Sequence, residues 1–218
     1  MPKTTESRRP LKSRQSRWAH ALATALTRAR IPPNWISLTG IFFAGLAAAC
    51  LVLTPKRQGP TRSTLFVAAA VAIQLRLVAN LMDGMVAIEG GMQTKLGLLF
   101  NDLPDRLADA LILVAAGYAI QWVRWGAELG WAAALLALMT AYVRLLGAAM
   151  GATQWFIGPM AKQHRMAVLT AACLLAALEA AIGRTEHVIT AALMVISLGC
   201  VATLVRRLRR IIAEVQAN

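Results

Sequence analysis

Six stretches of the chain are apolar for long enough to cross a bilayer, at roughly 34–53, 63–87, 98–120, 128–151, 165–182 and 187–205. Each is near the ~20 residues that a spanning helix requires. The connections are short and no internal repeat is evident, so residues 31–205 read as one domain of six transmembrane helices. The segment before them is different. From 13 to 30, Trp18, Ala21, Leu22 and Leu26 alternate with Arg14, Arg17, Arg28 and Arg30, the pattern of an amphipathic helix lying on an anionic surface. Pro32 and Pro33 end that helix and turn the chain into the first span. Residues 54–62, with Pro55, Gly59 and Pro60, read as an exposed turn. The last thirteen positions, 206–218, read as a basic tail whose Arg206, Arg207, Arg209 and Arg210 anchor at anionic lipid.

Composition agrees with the all-α membrane class: 58% of residues are hydrophobic, and mean hydropathy is +0.57. Charge adds topology. The net charge is +13, yet the basic residues flank apolar runs instead of forming a separate basic domain, which argues against nucleic acid as a partner. Lys56, Arg57, Arg62, Arg124 and Arg184 fall on one side of a six-span layout, and the tails and alternate loops hold the larger basic share. Positive-inside bias then places both termini in the cytoplasm of a bacterial-type inner membrane. The first thirty residues lack the apolar central run of a cleavable signal. Cys50, Cys173 and Cys200 each stand alone in an apolar stretch and read as packing residues.

Candidate chemistry lies where polar residues interrupt the spans. Asp83, Glu89, Asp102, Asp105 and Asp109 are five of only ten acidic residues. Arg76, Arg106 and Arg144 also fall within predicted spans. An ionisable group costs roughly 3 kcal/mol or more at a helix centre, so such groups line cavities or pair with one another. Arg76, Asn80, Asp83 and Ala87 share one helical face; Asn101, Asp105 and Asp109 share another. Two such faces would present oxygen ligands across a gap, opening through the loop at 89–96. Oxygen ligands without nearby Cys or His favour Mg²⁺ or Mn²⁺ over zinc. The bland alternative is a set of buried salt bridges to Arg76 and Arg106.

Beyond that point the residues resemble a family. Asn80-Leu-Met-Asp83-Gly84-Met-Val-Ala87-Ile88, then Gly97, Asn101 and Asp105, is similar to the CDP-alcohol phosphotransferase signature D-x2-D-G-x2-A-R-x8-G-x3-D-x3-D, with every spacing kept over 26 positions. Pro33-Asn34 with Ile36-Ser37, Tyr142-Val143-Arg144, and the basic run from Lys162 to Arg165 also resemble family features. Three positions depart from the pattern: Asn80 and Asn101 stand at the first and third acidic places, and Ile88 at the arginine. Only Asp83 and Asp105 are kept, half the charge of the full motif; Glu89 and Asp102 are candidates to restore a charge. An alternative register takes Asp105 and Asp109 as the last two acids with one helical turn inserted, whereas the ungapped register keeps Gly97 in place.

The resemblance implies transfer of a substituted phosphate from a CDP-linked lipid donor to a small polar or phosphorylated alcohol, with CMP released. It implies metal ligation by Asn80, Asp83, Asn101 and Asp105, with Asp105 as general base. Asn34, Ser37, Gly84, Ala87 and Gly97 would then border the donor, and Arg144, Lys162 and Arg165 a phosphate on acceptor or donor. It also implies a homodimer. Two other readings stay open: a non-catalytic relative that binds CDP-lipid, and a divalent-cation or proton-coupled carrier.

Overall fold

The computed structural model describes residues 16–91, 97–183 and 187–217. Among the described residues there are seven α-helices: α1 (Arg17–Arg28), α2 (Pro33–Leu53), α3 (Gly59–Glu89), α4 (Gly97–Tyr118), α5 (Gly126–Ala149), α6 (Lys162–Ala181) and α7 (His187–Ala217). α2, α3, α5, α6 and α7 are long and apolar enough to cross a membrane by length and composition. The sixth expected span forms α4, whose 22 residues carry Asp102, Asp105, Arg106 and Asp109. The chain is a multi-pass all-helical membrane protein.

The six long helices close into a ring, in which neighbours pack in the order α3, α2, α4, α5, α7, α6 and back to α3. Alanine dominates the buried face, with Ala44, Ala47, Ala69, Ala116, Ala134 and Ala176 all within 2% exposure. Large side chains such as Phe42, Leu178 and Leu198 point outward. This inversion of size follows from the solvent. Lipid is as apolar as leucine, so helices associate by close backbone approach between small residues. The α4–α5 crossing is the tightest instance. A Cβ added to Gly130 would stand 2.7 Å from Gly117 Cα, and one added to Gly117 would stand 2.7 Å from Gly130 Cα.

α1 forms as the expected amphipathic helix; it docks on α3 through Ala19 and Ala23 and leaves Trp18 and Leu22 exposed. Other expectations are corrected. The expected turn at 54–62 is shorter: Thr54–Lys56 is a 3₁₀ turn, Thr54 is buried, and α3 already begins at Gly59. α7 runs unbroken through Ala217, so residues 206–217 continue the helix of the last span. Within it Arg207 is buried, donating to the carbonyls of Ile157 (3.0 Å) and Thr140. It ties α7 to α5 instead of reaching lipid. Met1 to Arg14 of the basic segment, residues 92–96 of the loop, and Arg184 lie outside the described residues.

Candidate functional site

α3 and α4 touch each other little along their lengths, yet their polar faces meet inside the ring. Arg76, on α3, is 1% exposed. Its Nη2 donates to Asp105 Oδ1 at 2.7 Å and to the Asp105 backbone carbonyl at 2.9 Å. The same nitrogen stands 2.8 Å from Asp109 Oδ1. Asp109 Oδ2 accepts from Arg165 Nη2 at 3.0 Å. Arg165 also donates to the Met160 carbonyl at 3.1 Å and to Thr140 Oγ1 at 3.4 Å. Lys162, the first residue of α6, donates to Asn80 Oδ1 at 2.5 Å and to Asp105 Oδ2.

Helical spacing explains why these groups converge. Arg76, Asn80 and Asp83 recur at three- and four-residue intervals along α3, and Asp105 and Asp109 are one turn apart on α4. Pro104 has no N–H, so the turn beside Asp105 lacks one internal backbone bond. Asp83 is buried, and its Oδ2 accepts from Ser37 Oγ at 2.8 Å. Ser37, Arg76, Asn80, Asp83, Pro104 and Asp105 line a cleft of about 220 Å³, open solvent included. Asp83, Asn80 and Asp105 are thus brought together as expected. The side chain of Asn101 lies outside the described residues, and Gly97 opens α4.

Other candidates are not brought into this cleft. Glu89 forms an ion pair with His20 of α1 at 3.0 Å and belongs to the α1–α3 contact. Asp102 accepts from Arg106 Nη2 at 2.7 Å and lies 3.6 Å from Arg144 Nη2. Arg144 also donates to Gln154 Oε1 at 2.8 Å and stacks 5.0 Å over the Phe156 ring. Glu89 and Asp102 therefore do not stand in for the missing carboxylates. Asp109 does not either, since it is held between two guanidinium groups. Arg165, expected to face phosphate, is 2% exposed and positions Asp109. Asn34 is exposed at the start of α2, and Gly84 and Ala87 are half-buried beyond Asp83. Thr140 and Met160, which hold Arg165, were not legible in the sequence.

The geometry can now be set beside known proteins. No protein-family model matches the chain. An uncharacterized protein of Aquifex aeolicus (strain VF5) is 28% identical over 112 residues, which is 51% of this chain and 51% of that protein. The chain therefore spans about half the length of the curated relative it matches. Among solved structures, the phosphatidylinositol phosphate synthase of Mycobacterium tuberculosis with CDP-DAG bound matches with a TM-score of 0.73 at 17% identity, over 90% of this chain and 94% of that one. The two share a fold. The same synthase in complex with manganese and citrate matches with a TM-score of 0.74 at 15% identity, covering 88% of each chain.

The motif raises the question of a divalent metal. Asp83, Asp105 and the amide oxygen of Asn80 are hard donors of the right kind. Among the described residues, however, no group of three or more His, Cys, Asp or Glu is placed to hold a metal ion. Both oxygens of Asp105 already meet cations, and so does the oxygen of Asn80. A divalent cation here would draw on Asp83, with the oxygens of Asn80 and Asp105 shared with Lys162 and Arg76.

Proposed function

We propose that the chain transfers a phosphatidyl group from a CDP-linked lipid, CDP-diacylglycerol, to the hydroxyl of a small polar or phosphorylated alcohol, releasing CMP. The observation that carries this reading is the meeting of Asp83 and Asp105 in a cleft among the long helices, in a fold shared with a synthase crystallised with CDP-DAG.

The acceptor oxygen attacks the phosphorus distal to cytidine, the bond to the CMP oxygen breaks, and its electron pair leaves with CMP. Asp105 takes the hydroxyl proton as general base, which requires Lys162 to withdraw from Oδ2. Arg76 holds the other carboxylate oxygen in place. Arg76 Nη1 is buried without a hydrogen-bond partner, a donor available to a phosphate oxygen at the cleft. One divalent cation, Mg²⁺ or Mn²⁺, would be held by Asp83 with Asn80, Asn101 and Asp105 beside it, and would act as a Lewis acid on the diphosphate. We assign Asn34, Ser37, Gly84, Ala87 and Gly97 to the donor side. Arg144, beside Arg106, is assigned to an acceptor phosphate because its planar fork suits one. The exposed apolar exterior keeps the acyl chains in lipid while the head group enters. Both termini in the cytoplasm of a bacterial inner membrane, the division at 30/31 and 205/206, and a homodimer belong to the same proposal.

The test is CMP release by purified protein in detergent with CDP-diacylglycerol, Mg²⁺ or Mn²⁺, and a panel of polar alcohols, with Asp105→Asn beside it. Release with one alcohol, lost in the variant, supports the transferase and names the acceptor. The double engagement of Asp105 by Arg76 and Lys162 favours a second reading, a non-catalytic CDP-lipid binder. That reading predicts binding of the nucleotide lipid with no CMP formed. A carrier would instead give substrate-independent metal flux in liposomes, and the buried Asp105 and Asp109 share one network instead of stepping along a path.

A further inference from the structure

Lys162 heads α6 with its side chain turned into the bundle, 17% exposed. Its ammonium is gripped by two oxygens from different helices, Asn80 Oδ1 on α3 and Asp105 Oδ2 on α4. An amide oxygen and a carboxylate oxygen converging on one positive centre form the environment of a bound cation. Here the cation is covalently part of the protein.

Charge points the same way. Asp83, Asp105 and Asp109 are buried beside Arg76, Lys162 and Arg165, three negative groups against three positive. Burial leaves little solvent to screen an imbalance. One added divalent ion gives the cluster an excess that an anionic diphosphate can neutralise, whereas a second would double it. The amide at position 80 fits this arrangement. One ammonium matches one carboxylate and a neutral oxygen, while a second carboxylate at 80 would call for more positive charge.

We propose that Lys162 is the built-in cation of the site: its ammonium occupies the position between Asn80 and Asp105, so the protein binds no more than one divalent ion. The inference rests on the reading above for what the cleft receives. Lys162 then meets the donor's diphosphate as a compact charge with three N–H donors, moving from Asp105 to phosphate when the lipid arrives.

Mn²⁺ binding is the test, followed by electron paramagnetic resonance on the full chain in detergent without nucleotide lipid. Wild type is expected to take up no more than one equivalent, and Lys162→Met one more than wild type. Asn80→Asp with Lys162 in place is expected to add none, because the new carboxylate pairs with the ammonium. An unchanged Mn²⁺ count in a folded Lys162→Met protein overturns the proposal. So does an extra ion in Asn80→Asp, a result that decides the matter even where Lys162→Met fails to fold. CMP release is scored separately. Transfer activity with a Lys162-independent ion count removes the built-in cation and keeps the transferase; the expected ion counts without CMP release do the reverse.

Discussion

Two clusters on α4 use the same residue types one helical face apart. Asp105 and Asp109 point into the ring and meet Arg76, Lys162 and Arg165, with both carboxylates under a tenth exposed. Asp102 meets Arg106 and Arg144 at the ring's flank, where its side chain is 28% exposed. Asp105–Arg76 and Asp102–Arg106 are both 2.7 Å long; what differs is the medium. A buried ion has lost its hydration, so removing one partner strands the other. A partly solvated ion retains water as a substitute partner, and its pairing contributes little.

The largest effect that this contrast predicts is for Asp109→Ala, which takes from Arg165 its carboxylate partner and leaves Arg76 with Asp105. It should cost about 3–5 kcal/mol, read as a loss of thermal or denaturant stability in detergent. A loss below about 1 kcal/mol would erase the distinction between the two clusters. Next comes Asp105→Asn, which keeps the shape and removes the charge. CMP release should fall by about 100-fold or more, the usual contribution of a general base, and retained activity would remove Asp105 from that role. On the facing helix α5, Gly130→Val should cost about 1–3 kcal/mol by forcing the α4–α5 crossing apart. A neutral result there would mean that the close approach is not required. The smallest effect belongs to Asp102→Asn, at about 0–1 kcal/mol and weakened by salt. A cost as large as that of Asp109→Ala would show that solvent does not reach the flank.

The legible part of the site was the part written along single helices. Asn80 with Asp83, and Asp105 with Asp109, were readable because three- and four-residue spacing puts them on one face. Glu89 and Asp102 have the same charge and lie close by in sequence, but they point to α1 and to Arg106. Arg207 misled for a related reason. It belongs to a run of four arginines, and composition alone cannot show that one of them is buried against Thr140 and Ile157. Nor could the strap on the loop after α5 be read, where Glu214 accepts from Thr153 Oγ1 and Trp155 Nε1, both at 2.6 Å. In α1, Trp18 and Leu22 drew the eye as apolar anchors, while the helix packs through alanines because only small side chains permit that approach.

The sequence by itself determined the solvent and the secondary structure. Apolar runs of bilayer length have to be helices, since no other single segment satisfies its own backbone hydrogen bonds in lipid. It also determined which residues are candidates for chemistry, because charge inside such a run is costly without a partner. Only the tertiary structure decided the partners. Lys162 reaches Asn80 and Asp105 across separations of 82 and 57 residues, and Arg165 reaches Asp109 across 56. Helical periodicity places residues on a face, but which faces meet depends on how six helices close into a ring. That closure turned a lysine expected to bind phosphate into the cation between two presumed metal ligands.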